Sequence, residues 1–322
     1  MNTRRLGNSE IELTTVGIGT WAIGGGDWKF GWGAQDEQEA VQGILRGVQL
    51  GINWIDTAAV YGNGRSEEIV AKALQQIPAD QRPLVATKFG RVIQADGSIQ
   101  AIIKADSIRR ECEASLRRLQ TDCIDLYQMH WPQPDEDIEE AWTTMVQLKQ
   151  EGKVRHIGVS NHSAAQMARL QTIHPITSLQ PPYSMLVRGI EDDILPYCQA
   201  HSIGVVCYSP MYKGLLTGKF DAQRAAALSE DDHRSRDPQF QSPALEKNLQ
   251  FVESLKTVAA DANVSVAQLA ILWTLRNEVV TSAIVGARSP KQIEETAAVG
   301  SLQLNQDVVG QLNKLLEARS AS

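Results

Sequence analysis

The chain has 322 residues, 43% of them hydrophobic and 21% charged, and its 31 basic and 38 acidic side chains leave a net charge of −7. This is ordinary globular usage. It excludes disordered, collagenous and low-complexity classes, and the acidic balance argues against bulk nucleic-acid binding. The length admits two medium domains or one large α/β barrel.

The opening residues, Met1-Asn2-Thr3-Arg4-Arg5-Leu6-Gly7, lack the apolar stretch of a secretory signal. No run of about 18 apolar residues and no lipidation signal follows. Cys112, Cys123, Cys198 and Cys207 show no CxxC spacing and read as reduced core thiols. The expectation is a cytoplasmic protein without a membrane partner.

Residues 3–13 contain Asn8-Ser9 between two short runs, the pattern of a hairpin that plugs a barrel floor. Beyond it, β-rich runs at 15–20, 52–56, 84–88, 124–130, 154–159, 178–181, 205–208 and 282–285 alternate with amphipathic helical patterns. The helices are expected at 36–50, 66–75, 105–119, 138–150, 164–172, 192–200, 243–262 and 266–276, with another opening at Pro290 and a covering helix at 305–318. Strands alternating with helices pair in parallel through right-handed crossovers.

Eight strands, this length and the lack of a linker favour one (β/α)8 TIM barrel over residues 1–322. The rival doubly wound sheet should carry GxGxxG after its first strand, and Gly17-Ile18-Gly19-Thr20-Trp21-Ala22 lacks the third glycine. The gap between Tyr208 and the last strand is the longest, so an insertion after strand 7 falls on the catalytic face.

Reactive groups of such barrels sit at the C-terminal strand ends. Here those ends carry Gly19-Thr20-Trp21, Asp56, Lys88, His130-Trp131, Ser160-Asn161, Gln180, Tyr208-Ser209 and Gly286-Ala287-Arg288. Strands about 4.8 Å apart bring Asp56, Lys88 and His130 within roughly 10 Å, and the glycines around Tyr61 let its loop fold over the mouth. A neighbouring ammonium stabilises phenolate and is expected to lower the Tyr61 pKa, which makes it a serviceable acid; Asp56 holds Lys88 charged and oriented, and His130 orients a carbonyl oxygen or shares its proton. Taken singly, Asp56–Lys88 also reads as a structural salt bridge and His130 as a core histidine. The six histidines form no HxH or HExxH pair, so no metal site is expected.

In these residues the sequence resembles an aldo-keto reductase over nearly its whole length. The resembling pieces are Gly19-Thr20-Trp21, Asp56-Thr57-Ala58 with Tyr61-Gly62, Thr87-Lys88, Asp125-Leu126-Tyr127 leading to His130, Gly158-Val159-Ser160-Asn161, Gln180, Tyr208-Ser209-Pro210 and Gly286 to Glu295. The segments around Gly214-Leu215-Leu216-Thr217-Gly218-Lys219 and Arg234-Ser235-Arg236 resemble the bacterial general-stress branch and, more distantly, potassium-channel β subunits.

The resemblance implies NADPH-dependent reduction of small aldehydes or ketones, with Tyr61 as acid and Asp56, Lys88 and His130 completing a tetrad. It implies NADP(H) lying against Thr20 and Trp21, with Ser160, Asn161 and Gln180 on its carboxamide and Tyr208, followed by Ser209, on its ring. Gly214 to Lys219 would clamp the pyrophosphate. Arg288, Gln292 and Glu295, after Gly286 and joined by Arg234, would hold the 2′-phosphate end. Many relatives carry Ile-Pro-Lys-Ser after strand 8 and a later arginine; here the basic contact moves to Arg288, with Gln292 at the later position. Arg234 lies among Asp231, Asp232 and Asp237, which also reads as a solvated charge run, and Lys219 reads either way.

Trp21, Trp28, Trp32, Phe89 and Trp131 are expected to wall an apolar substrate pocket; loop packing is an equal reading for Trp32. A cofactor-sensing regulatory subunit with little turnover is the alternative function. The expected state is a monomer or weak homo-oligomer.

Overall fold

The computed structural model describes residues 1–26 and 28–321; Asp27 and Ser322, both within the expected 1–322 span, lie outside the described residues. The chain opens with an antiparallel hairpin, β1 (Thr3–Arg5) and β2 (Glu12–Thr14), in the register Thr3↔Thr14. Leu6 at its turn is fully buried and packs with Leu13, Trp54, Ala86, Leu126, Val206 and Ile284. The hairpin is therefore the floor of the barrel, as its position in the sequence suggested.

Among the described residues, eight parallel strands then close on themselves. They are β3 (Val16–Gly19), β4 (Trp54–Asp56), β5 (Leu84–Phe89), β8 (Ile124–Met129), β9 (Val154–Ser160), β10 (Ser178–Gln180), β11 (Gly204–Tyr208) and β12 (Val280–Gly286), the last pairing with β3. Both faces of each strand are covered, so the runs are almost continuously buried rather than alternating. Between β5 and β8 the chain makes an antiparallel hairpin that the sequence pattern did not announce, β6 (Arg91–Ile93) with β7 (Ile99–Ala101).

The helices between strands are α1 (Glu37–Gln49), α2 (Arg65–Leu74), α3 (Ala105–Leu119), α4 (Ile138–Gln150), α5 (Ala164–Gln171) and α6 (Ile194–Ala200). The insertion after β11 adds the short α7 (Ala222–Ala226) before α8 (Ala244–Asp261) and α9 (Val266–Leu275). After β12 come α10 (Pro290–Ala297) and α11 (Gln306–Ala321). Local chemistry sets their starts. Asp36 accepts from Glu39 N at α1, and Ser163 with Gln166, and Ser265 with Gln268, form reciprocal capping boxes at α5 and α9. Among the described residues no single helix is long and apolar enough to cross a membrane.

One close approach fixes the lower barrel. A Cβ at Gly17 would stand 2.1 Å from Trp54 Cε2, because the indole fills the space beside β3 and donates to Ser282 Oγ at 3.1 Å. Gly17→Ala is expected to cost about 1–3 kcal/mol by overpacking. Urea denaturation measures this, and an unchanged midpoint would show that Trp54 moves freely.

Candidate active site

β4 ends at Asp56 and β5 delivers Lys88 beside it; both are almost wholly buried. The Lys88 ammonium donates to Asp56 Oδ1 at 2.8 Å, to Oδ2 at 2.7 Å and to the Thr57 carbonyl at 2.8 Å. Burial lowers the Lys88 pKa, and Asp56 opposes that shift. Tyr61 folds back over the pair through a turn containing Gly62 and Gly64, and its ring centroid lies 5.2 Å from Lys88 Nζ. A Cβ on Gly62, at φ +60°, would lie 2.1 Å from the Gly24 carbonyl, so glycine is required for this turn to sit against the first loop.

His130 meets the Tyr61 ring edge-on at 5.9 Å. Burial first, then the Lys88 and Arg91 charges, hold its pKa well below the usual histidine range, so the imidazole is neutral. The expected lowering of the Tyr61 pKa by Lys88 is not what the structure gives. Burial, then Asp56 and Tyr208, push the phenol well above the ordinary tyrosine value. The physical reason is that burial, the largest cause, disfavours the charged phenolate, and the Asp56 carboxylate adds its repulsion. Tyr61 is therefore a protonated donor at rest.

A ring of hydrogen bonds continues around the mouth. Gln180 donates to Asp56 Oδ1 at 2.8 Å, Ser160 to the Gln180 carbonyl at 2.8 Å, and Asn161 to Ser160 Oγ at 3.0 Å and the His130 carbonyl at 3.1 Å. The Tyr208 hydroxyl donates to Asn161 Oδ1 at 2.9 Å. Asn161 reaches both partners from a left-handed backbone, φ +62°, and Ser209 is likewise left-handed at φ +56°.

A cavity of about 1230 Å³ opens above this ring, lined by Trp21, Trp28, Trp32, Tyr61, His130 and Trp131 at one side. It continues past Asn161, Gln180, Tyr208 and Ser209 to Gly214, Lys219, Arg234, Gly286, Arg288, Gln292 and Glu295. That volume exceeds the roughly 300–1,000 Å³ of a pocket for one drug-sized molecule. It suits a dinucleotide together with a small substrate. Gly286 supports the fit, since a Cβ there would meet nothing within 4 Å and the backbone lies open to the cavity.

Within that cavity Lys219 Nζ spans to Glu295 Oε2 at 2.6 Å, joining the insertion to α10. Arg234 is half-buried rather than part of a solvated run. It pairs with Asp232 at 2.6 Å and lies 4.7 Å over the Trp32 ring. Arg288 donates to Gln35 Oε1 at 2.6 Å, to the Trp32 carbonyl at 3.1 Å and to the Ala34 carbonyl. Its backbone N–H donates to Gln292 Oε1 at 2.8 Å.

Two expected residues lie elsewhere. Phe89 follows the inward Lys88, so strand alternation turns it outward; it is buried against Tyr127 at 5.1 Å, away from the cavity. Thr20 is fully buried, donating to the Asp56 carbonyl at 2.9 Å and accepting from Ser66 Oγ at 2.7 Å, which makes it a brace of β3 to β4 and α2. Conversely, His233 lies tilted against Trp21 at 4.7 Å and edge-on to Trp32 at 4.9 Å, while Arg91 and Ile99 enter the cavity wall from the β6–β7 hairpin. The only sequence signal for these was that they fall in long segments following strand ends.

A parallel barrel with a Tyr-over-Lys–Asp site, a neutral histidine and a dinucleotide-sized cleft defines a carbonyl–alcohol oxidoreductase of the barrel type. The chain belongs to the aldo/keto reductase family, whose description matches residues 15–317. It is 37% identical over 318 residues to the aldo-keto reductase YhdN of Bacillus subtilis (98% of this chain, 94% of that protein). It is 34% identical over 326 residues to the NADH-specific methylglyoxal reductase of Escherichia coli (97% and 98%). Among solved structures it resembles the glycerol dehydrogenase AKR11B4 of Gluconobacter oxydans (TM-score 0.89, 37% identity, 99% of this chain and 96% of that one). It also resembles the holo form of the aldo-keto reductase AKR11C1 of Bacillus halodurans (TM-score 0.81, 28% identity, 98% and 96%).

Burial keeps His130 well below its ordinary pKa, and His162 and His233 at about 4. The unfolded chain binds protons at these positions below about pH 6.5 and the native chain does not. Their contribution to stability is complete above that pH and is lost as pH falls toward 4. Buried Glu111, raised to about 7, acts oppositely, since its contribution is lost as pH rises from 4.5 to 7. Asp125, also raised by burial, acts in the same sense as Glu111, and three histidines against these two carboxylates predict a urea midpoint that falls between pH 7 and 4.5, more steeply in Glu111→Gln. A midpoint that rises on acidification would overturn the assignment of neutral histidines.

Proposed function

We propose that this chain is an NADPH-dependent reductase of aldehydes and ketones in which Tyr61 donates the proton. The observation that carries this reading is the buried Lys88–Asp56 pair at 2.7 Å beneath the Tyr61 ring, with neutral His130 at the ring edge. NADPH, when bound, supplies the hydride. The remaining work falls to the chain's own groups.

Neutral His130 donates a hydrogen bond to the carbonyl oxygen and polarises the C=O bond. Tyr61 keeps its proton in the ground state and releases it to the alkoxide, a far stronger base than phenolate. The Lys88 charge below the ring offsets the phenolate that remains, and solvent later returns the proton. Asp56 holds the ammonium in place.

Ser160, Asn161 and Gln180 would bind the cofactor's carboxamide, and Tyr208 with Ser209 would support its ring. The Gly214–Lys219 segment would embrace the pyrophosphate, and Arg288, Gln292 and Glu295 beyond Gly286 the adenosine end. The choice of the phosphorylated coenzyme rests on Arg234 and Arg288. Burial first, and the Arg234 charge second, lower the Arg288 pKa, and a 2′-phosphate bound there would offset both while its oxygens match the Arg288 guanidinium fork. Trp21, Trp28 and Trp131 wall the substrate side.

Tyr61→Phe is expected to lower kcat by about 10²–10⁴-fold with NADPH affinity nearly kept. The check is NADPH oxidation with a panel of small aldehydes alongside a binding titration, and wild-type turnover in the variant would remove Tyr61 as the acid. For the parent protein, kcat/KM with NADPH is expected to exceed that with NADH by about tenfold or more, and Arg288→Ala to narrow the ratio. A preference for NADH would overturn the coenzyme assignment and leave the carbonyl chemistry standing.

A further inference from the structure

The net charge of the chain is −7, yet eight lysines and arginines line the cavity against three carboxylates. Toward the proposed cofactor cleft three cations have carboxylate partners, while Arg288 and Arg224 donate to amide and carbonyl oxygens. Lys213 pairs with Asp237 at 2.6 Å, and Lys219 and Arg234 have the carboxylate partners already described. On the substrate side the pattern reverses. Among the described residues no carboxylate pairs with Arg91, Lys29 or Arg236.

Arg91 is the most constrained of the three. It enters from the β6–β7 hairpin, is half-buried, lies 5.5 Å over the Trp131 ring and donates to Gln133 Oε1 at 2.6 Å. Its charge is near enough to His130 to help hold that imidazole neutral. A guanidinium presents five N–H donors, and among the described residues no carboxylate accepts from this one. Withdrawing a cation from water without a counterion is unfavourable, and an anionic ligand in the cavity supplies what the fold does not. Arg236 donates to the Lys29 carbonyl at 2.7 Å, so the two more exposed cations share one rim.

We infer that the substrates of this site are carbonyl compounds carrying a carboxylate, which Arg91 binds while the carbonyl oxygen lies at Tyr61 and His130. The inference rests on the proposed reductase activity and adds the substrate class. The planar fork of Arg91 matches a carboxylate bidentately, and the Trp131 face beneath it keeps the fork from turning to solvent. Lys29 and Arg236 add a positive rim that draws the anion inward.

The test uses one matched pair, 4-carboxybenzaldehyde and the methyl ester of the same acid. Both present an aromatic aldehyde with a planar carboxyl-derived group at the same position, and only one is an anion, so the Arg91→Gln ratio serves as the electronic baseline. The parent protein is expected to favour the acid by about tenfold or more in kcat/KM. Arg91→Gln is expected to bring the acid-to-ester ratio down toward one, and Arg91→Lys to restore part of it. A structural role for Arg91 would lower both substrates together and leave the ratio in place. Equal kcat/KM for acid and ester in the parent protein overturns the carboxylate assignment and leaves the reductase reading intact. Turnover of neither compound with either coenzyme overturns the reductase reading and this inference with it.

Discussion

The site depends on one buried ion pair. Lys88 and Asp56 are both withdrawn from water, a costly placement unless every hydrogen bond is made, and here all three ammonium protons have acceptors at 2.7–2.8 Å. Removing either partner of such a pair leaves a naked buried charge, typically about 3–5 kcal/mol of destabilisation. The pair is thus part of the barrel's architecture as well as its chemistry. Gln180 leans on Asp56, Ser160 on Gln180, Asn161 on Ser160 and Tyr208 on Asn161, so three further strand ends take their positions from it.

Above that ring the mouth is built from loops held by cations. Arg288 takes carbonyls of the tryptophan loop, Arg236 takes the Lys29 carbonyl, and Arg234 lies against Trp32. The first loop, the insertion after β11 and the end of β12 therefore meet in one polar junction, and α10 is tied to the insertion through Lys219 and Glu295. A phosphate arriving at Arg288 competes with the carbonyls of Trp32 and Ala34. An anion bound at Arg288 would in this way be mechanically linked to the tryptophan loop that lines the cavity.

The barrel was largely legible because its signals are local and repeated. Helices 105–119 and 138–150 fall where their periodicity placed them, and each strand lies within or close to its apolar run. Asp56, Lys88, His130 and Gln180 could be read because fold geometry converts a strand end into a position. The β6–β7 hairpin escaped because its strands are three residues long and half polar, and with it went Arg91. Phe89 was misplaced by adjacency: next to Lys88 in sequence means opposite to it across a strand. Thr20 lies at a strand end yet is spent on bracing, which no residue type announces. The tyrosine's raised pKa depends first on how completely the phenol is buried and next on the nearby Asp56 carboxylate, a matter of ångströms rather than of composition.

The gathering of Trp21, Trp28 and Trp32 about Tyr61 and His233 gives the molecule a built-in optical probe. Indole emission is sensitive to local polarity and is quenched by energy transfer to a reduced nicotinamide. A bound dinucleotide ring beside Tyr61 would lie within the shell of indoles that lines the mouth, whereas Trp54, Trp142 and Trp273 are shut away in the core. The buried three provide a steady background against which the mouth four, Trp131 included, report, so occupancy and loop position can be followed in the unlabelled protein by its own light.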